Sequence, residues 1–288
     1  MRFIIFLILM LVSFPVQADI ASLDVMAGQM LMAGFRGDHV DAESPIVRDI
    51  RTRHLGGVVL FDYDVALGRP DRNVKSPEQV RELIAELKSR ADIPLLVAVD
   101  QEGGKVQRLK AKWGFPETPS AEVLGQRGPD AARTAGSIIG RTLADVGFTM
   151  DYAPVVDVNV DPESPAIGAI GRSFSADPEV VARDAAAFIK GLSSHGVISC
   201  LKHFPGHGSA SSDSHLGVTD VTRTWSDIEL IPYRRLVEQG FDGMIMTAHV
   251  FNANLDLTIR PRFPGLSSPA SCVTGSAGTG WSSPTTWT

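Results

Sequence analysis

An α/β fold of the (β/α)8 TIM-type barrel is predicted by three features of this 288-residue sequence. Short apolar runs rich in β-formers alternate with amphipathic helical patterns, as in a parallel sheet with crossover helices. The runs are apolar on both faces, which suits strands covered on both sides. Several of them end in a charged or imidazole side chain: Asp100, Asp157, Lys202 with His203, and His249. In a barrel the strand C-termini converge on one face, where sites are assembled from several strands. A doubly wound dinucleotide fold fits less well. Gly103-Gly104 comes nearest to its Gly-rich turn, but Gln101-Glu102 intervene and no dinucleotide helix start follows.

Residues 1–18 read as a cleavable export signal. Arg2 supplies the positive end, Phe3 to Phe14 the apolar stretch and Val16-Gln17-Ala18 the small residues at the cleavage point. Pro15 closes that stretch before the roughly 20 apolar residues needed to cross a bilayer. Asp19 stands where a lipoprotein would carry Cys. A periplasmic or secreted protein with no stable membrane anchor is expected.

Leu55 to Phe61 is the first clear strand, opened by Gly56-Gly57. Ser76-Pro77-Glu78-Gln79 then supplies an N-cap, a Pro at the first helical position and a capping-box Gln. Val80, Leu83, Ile84 and Leu87 share one face of the helix behind it. Pro94 to Val99 is a continuous apolar strand ending in Asp100. A helix over Ala131 to Leu143 precedes a strand around Phe148 to Val156. Asp177-Pro178 caps a helix reaching Ser194, and Val197 to Leu201 is the next strand. A helix from Trp225 to Glu238 precedes a strand over Gly243 to Ala248.

Hydrophobic residues make up 44% of the chain and its formal net charge is −6. That balance argues against a nucleic-acid partner, which needs clustered Lys and Arg. The most basic stretch, Arg108 to Lys112, is interrupted by Leu109 and Ala111 and reads as a solvated face. Cys200 and Cys272 do not form a disulfide framework, and Cys200, inside an apolar run, reads as a small buried hydrophobe. A monomer is expected.

The densest polar stretch is Lys202-His203-Phe204-Pro205-Gly206-His207-Gly208, followed by Asp213-Ser214-His215. His203 and His207 have the spacing of a helical metal pair, but Pro205 and Gly206 break any helix between them, so no metal is expected. The stretch reads as a strand end running into a mobile Gly- and Ser-rich loop, Gly206 to Ser212, that delivers Asp213 and His215. A His exchanges protons near neutrality, and a carboxylate bonded to its ring fixes the tautomer and supports the imidazolium.

Lys202 to Gly208 with Asp213-Ser214-His215 resembles the signature of bacterial glycoside hydrolase family 3, in its β-N-acetylglucosaminidase branch. The likeness runs from about Leu23 to Asp256. It includes Val99-Asp100-Gln101-Glu102-Gly103-Gly104-Lys105-Val106-Gln107-Arg108, Tyr152-Ala153-Pro154-Val155-Val156-Asp157-Val158 and Ala169-Ile170-Gly171-Arg172-Ser173-Phe174. The resemblance implies retaining hydrolysis of terminal β-linked N-acetylglucosamine without a cofactor, with a small carbohydrate as partner. It implies His215 as general acid/base and Asp213 as its partner. It also implies Asp100, Arg108, Arg172, Lys202 and His203 as the residues holding the sugar hydroxyls and the N-acetyl group.

Retention further requires a nucleophile, ordinarily a carboxylate. The resemblance implies an Asp in an Ile-Thr-Asp-Asp-Met-like strand end downstream of His249. Residues 257–288 instead form a Ser-, Gly- and Pro-rich tail without Asp or Glu. Read one base back, with Trp281 fixing TGG and Ser as TCN, the codons of Thr279 to Thr288 permit Asp-Gly-Val-Val-Ile-Thr-Asp-Asp-Met-Asp. A frame slip near Asp256 is therefore expected. The domain division read from the sequence is a signal over 1–18, a barrel over 19–256 that lacks its last strands, and an aberrant tail over 257–288. An open barrel edge makes poor stability and little turnover the expectation for this polypeptide.

Overall fold

Six strands from Met32 onward lie edge to edge in chain order, each parallel to its neighbour. The computed structural model describes residues 22–70, 72–212 and 219–255, and the backbone of 272–273. The strands are β1 (Met32–Gly34), β2 (Gly57–Val59), β3 (Leu96–Val99), β4 (Met150–Asp151), β5 (Ile198–Phe204) and β6 (Met244–Thr247). A further strand, β7 (Cys272–Val273), pairs in parallel with β6 through Ile245↔Cys272 and Met246↔Val273.

Helix α1 (Leu23–Gln29) precedes β1. The successive crossovers hold α2 (Pro45–Thr52), α3 (Pro77–Ser89), α4 (Ala121–Arg127) with α5 (Pro129–Val146), α6 (Pro178–Ser193) and α7 (Ile231–Glu238). Spatial order equal to chain order excludes the doubly wound alternative, whose order reverses at a switch point. The sheet curls as a half-barrel, and among the described residues β1 and β7 are not paired with each other. None of the described helices is long and apolar enough to cross a membrane.

Strand alternation divides the core into two layers. Val58, Val97 and Val99 face outward and pack with Val80, Leu83, Ile84 and Leu87 of α3 in the larger cluster. Val59, Ala98, Met150 and Cys200, from β2 to β5, face inward and form the barrel floor with Tyr152. Cys200 is buried there, as its apolar run suggested. Burying each aliphatic side chain of the α3 face contributes roughly 1.5–3 kcal/mol before entropy is counted.

Local signals translate with some shifts. Ser76 caps α3 by accepting from Gln79 N–H, and Asp177 caps α6 by accepting from Glu179 N–H. The Gln79 side chain reaches back to Lys75 N–H rather than to the cap residue itself. The strand expected over Phe148 to Val156 keeps a regular ladder only at Met150–Asp151 and touches β5 again at the Val155↔Lys202 bridge. Pro154 has no N–H to give to a ladder there. Strand β5 continues to Phe204, so Lys202 and His203 lie within the strand and not beyond it.

The helix expected from Trp225 begins at Ile231, after a 3-10 turn over Asp227–Leu230, with Pro232 in its first turn. Trp225 is drawn elsewhere, its Nε1–H donating to Pro205 O at 3.1 Å. The Arg108–Lys112 stretch is not a solvated face: Leu109 is fully buried, and Arg108 and Lys110 are ion-paired inward. Of the loop expected over Gly206 to Ser212, residues Gly206 to Ala210 are buried, and only Ser211 and Ser212 are exposed. The proposed export signal, Asp213 and His215 lie outside the described residues, as does the tail apart from the backbone of β7.

Candidate active site

All five residues expected to hold a sugar meet at the C-terminal ends of β3 to β5. Lys202, on β5, places its Nζ 2.8 Å from Asp100 Oδ1 and 2.6 Å from Glu102 Oε1. Arg172 grips Glu102 with two parallel bonds, Nε to Oε2 at 2.8 Å and Nη2 to Oε1 at 2.7 Å. Its Nη1 donates to Ala166 O, and its Nη2 lies 3.3 Å from His203 Nε2. His203 Nδ1 lies 2.7 Å from Asp157 Oδ2. Arg108 Nη2 reaches Asp100 Oδ2 at 3.4 Å and closes the outer side of the cluster.

The local sequence explains these placements. Residues two apart on extended chain share a face, so Asp100 and Glu102 both point to Lys202. Gln101, between them, points the other way and folds the following ribbon back. Its Oε1 accepts from Arg108 N–H and Leu109 N–H at 3.0 Å each, its Nε2 donates to Leu109 O, and its own N–H is held by Asp151. Arg172 follows the left-handed Gly171 that ends a short 3-10 turn, Gly168–Ile170.

Sequence reading missed three members of this arrangement: Glu102, Asp157 as a ring partner, and Asp62. Asp62 is 2% exposed, lies 2.5 Å from Lys110 Nζ and stands 4.0 Å from Arg108 Nη1. The signals were present. Asp62 follows the Leu55–Phe61 run as Asp100 follows its own, and Glu102 lies in register with Asp100. His249, also expected at the rim, follows β6 and is exposed.

The charges are mutually compensated. Burial alone would raise the Asp100 carboxyl, but Lys202 and Arg108 outweigh it and hold the group well below its ordinary range. Glu102 is likewise raised by burial and pulled down further by Arg172 and Lys202, to about 2. Burial disfavours the Lys202 ammonium, yet Asp100 and Glu102 raise its pKa above the ordinary value. For His203 the burial penalty wins over Asp157, and the imidazole falls to about 4, neutral at pH 7. Asp157 stays ionised because His203 and His207 more than offset its burial. Asp151, beneath the cluster, has its carboxyl pushed well above the ordinary range by burial, against the pull of the Gln101 N–H.

Fixed carboxylates and fixed N–H donors at one rim can grip vicinal hydroxyls in defined directions without reorganising as the ligand arrives. With His203 neutral, its Nδ1–H donates to Asp157, and its Nε2 accepts on the side of Arg172. Among the described residues, no group of three or more His, Cys, Asp and Glu is arranged to hold a metal ion.

A parallel half-barrel with compensated charges at its strand ends defines the class: barrel proteins whose polar site is assembled from several strands at one rim. The chain belongs to glycoside hydrolase family 3, matching the Glycosyl hydrolase family 3 N terminal domain over residues 22–273. A beta-hexosaminidase of Nitrosomonas eutropha is 37% identical over 241 residues, covering 80% of this chain and 62% of the relative. One from Tolumonas auensis is 37% identical over 232 residues, covering 78% of this chain and 64% of the relative. The chain thus spans less than two thirds of the length of these relatives.

Among solved structures, a family 3 beta-N-acetylglucosaminidase from Paenibacillus sp. superposes with a TM-score of 0.72 at 36% identity, covering 81% of this chain and 43% of that one. NagZ from Neisseria gonorrhoeae, in complex with N-trifluoroacetyl-D-glucosamine, superposes with a TM-score of 0.69 at 34% identity, covering 78% and 65% respectively.

Proposed function

We propose that this chain is the barrel part of a retaining β-N-acetylhexosaminidase acting on terminal β-linked N-acetylglucosamine of cell-wall or chitin-type glycans. The observation that carries the reading is the cluster of Asp100, Glu102, Lys202, Arg172, His203 and Asp157, assembled from separate segments at one rim. In this role Asp100, Arg108, Arg172, Lys202 and His203 hold the sugar hydroxyls and the N-acetyl group. Contacts of this kind accelerate hydrolysis where they strengthen toward the oxocarbenium-like transition state. His215 serves as general acid/base and Asp213 orients its ring. Export through residues 1–18 puts the protein in the periplasm or outside the cell, where it acts as a monomer on peptidoglycan fragments.

A second reading is favoured by the absence of Asp and Glu from residues 257–288. On it, the 288-residue chain binds N-acetylglucosamine without hydrolysing its glycosides. Titration calorimetry with N-acetylglucosamine and chromophore release from an aryl β-N-acetylglucosaminide separate the two. Saturable binding lost in Arg172→Ala supports the site. Turnover abolished by His215→Ala supports hydrolysis by this chain and its dyad. A folded protein that shows neither binding nor turnover refutes both readings.

A further inference from the structure

Two consecutive amides of the glycine turn after β5 point at two different buried carboxylates. His207 N–H donates to Asp157 Oδ1 at 2.8 Å, and Gly208 N–H donates to Glu229 Oε2 at 2.8 Å. Glu229 comes from the 3-10 turn Asp227–Leu230 that leads into α7, and its side chain is fully buried. The turn is clamped between the barrel and the α7 segment. Its sequence is shaped to the clamp. A Cβ on Gly206, whose φ is +127°, would sit 2.5 Å from Glu229 Cβ, and one on Gly208 would sit 1.7 Å from Val158 O. No other residue tolerates both approaches.

We propose that Glu229 is a positioning residue for the candidate sugar site, acting through the Gly206–Ser209 turn on Asp157 and thereby on His203. The path is continuous in the structure. Glu229 holds Gly208, the adjacent amide of His207 is bonded to Asp157, and Asp157 fixes both the backbone N–H and Nδ1 of His203. The Trp225 indole fastens the same turn from outside by donating to Pro205 O. The inference rests on the proposed sugar-binding role of His203, and it adds a control by pH.

Burial raises the Glu229 carboxyl to about 7, against the pull of Ser209 and Gly208 and with Asp157 adding to the rise. The titratable groups facing it are Asp157 and, on α7, Tyr233, while His207 on the turn acts on Asp157. Ionisation of Glu229 puts a second buried negative charge beside Asp157, and the turn between them is the element that yields. Native Glu229 binds a proton more tightly than the unfolded chain, whose glutamate titrates near 4.5. Its stabilising contribution is therefore present below pH 4.5 and is lost as pH rises through about 7.

Nuclear magnetic resonance on the sugar-free chain tests this whether or not the protein binds sugar. The Glu229 side-chain carboxyl carbon in the wild-type protein is expected to titrate with a midpoint near 7, and the Trp225 indole N–H to shift with the same midpoint. In Glu229→Gln the Trp225 shift disappears; in His207→Gln it persists. A Glu229 midpoint in the ordinary glutamate range overturns the inference without need of any variant. So does a Trp225 titration that survives Glu229→Gln and vanishes in His207→Gln. Calorimetry with N-acetylglucosamine at pH 6 and 8 then reads the link to the site, the pH dependence of Kd being lost in Glu229→Gln. A pH-dependent Kd left unchanged by that variant refutes the link. Absence of sugar binding by the wild type refutes the proposed function while the resonance result on Glu229 stands.

Discussion

Asp157 fixes His203 twice: Oδ2 lies 2.7 Å from the ring Nδ1, and the same carboxylate accepts the His203 backbone N–H. One fully buried carboxylate thus sets both the strand and the ring that it carries, and leaves Nε2 facing Arg172. The arrangement works only with a neutral imidazole, because a ring proton at Nε2 would meet the guanidinium.

That neutrality has a measurable cost in acid. The ordinary His value is 6.5 and the folded value is about 4, so between them the unfolded chain binds a proton that the native chain does not. Stability is expected to fall as pH drops from 6.5 toward 4, by on the order of 2–3 kcal/mol from this group alone. Glu229 acts in the opposite sense over much of this range, so the wild-type profile hides both. The difference between wild type and His203→Gln in urea unfolding at pH 4.5 and 7 isolates the histidine. Parallel profiles for the two proteins would show that the ring is not held neutral.

Tyr233 offers a contrast between packing and polarity. Its ring meets Phe204 edge-on at 5.3 Å, yet its fully buried hydroxyl has no hydrogen-bond partner among the described residues. An unpaired buried hydroxyl costs about 1–3 kcal/mol of desolvation. Tyr233→Phe is therefore expected to leave stability unchanged or raise it by about 1 kcal/mol, because the ring contact survives. Thermal unfolding of the two proteins decides it; a clear loss of stability would mean that the hydroxyl has a partner in solution.

The barrel was legible because the crossovers repeat one pattern: an amphipathic helix, capped by a side chain at α3, α4 and α6, then an apolar strand, then a polar strand end. The same repetition pointed to Asp100, Lys202 and His203. Asp62 and Glu102 were readable by that rule but were passed over, the first beside an aromatic and the second among glycines. What could not be read was pairing. Nothing local tells Arg172 to close on Glu102 across 70 residues, or Glu229 to reach back to Gly208. The first contact comes from how α4, α5 and β4 return the chain to the rim, the second from the 3-10 turn that leads into α7, and a propensity argument does not contain them. Gly206 to Ala210 misled for a related reason: their composition signals solvent, while their smallness lets them enter a narrow buried space.

The tail makes a prediction about nucleotides. The family match reaches residue 273, and β7 pairs with β6 just short of the segment whose shifted codons permit Asp-Asp-Met. A frame slip near Asp256 predicts that sequencing codons 250 to 288 finds Ile-Thr-Asp-Asp-Met one base back from Ser283 to Trp287. A chain expressed in that frame is expected to release chromophore from an aryl β-N-acetylglucosaminide faster than the 288-residue chain does. Wobble bases that spell any other peptide end the proposal.

The charge cluster sets a rank order among its acids. Glu102 faces two buried cations, Arg172 and Lys202, and its side chain is 5% exposed, whereas that of Asp100 is 18% exposed. Removing one partner of a buried ion pair costs about 3–5 kcal/mol, because the other charge is left without compensation. Glu102→Gln removes the charge and one of the two parallel bonds, because the amide NH2 cannot accept from Arg172, and leaves Lys202 with the Asp100 carboxylate alone. Asp100→Asn leaves Lys202 paired to Glu102, and Arg108, 30% exposed, keeps its approach to Asp62. Glu102→Gln is therefore expected to destabilise the chain by the full amount in urea unfolding, and Asp100→Asn by clearly less. Glu102→Asp should recover part of the loss, since it restores the charge but not the reach. Equal costs for Glu102→Gln and Asp100→Asn would mean that Arg172 finds another partner when Glu102 is gone, and that the cluster is looser than its distances imply.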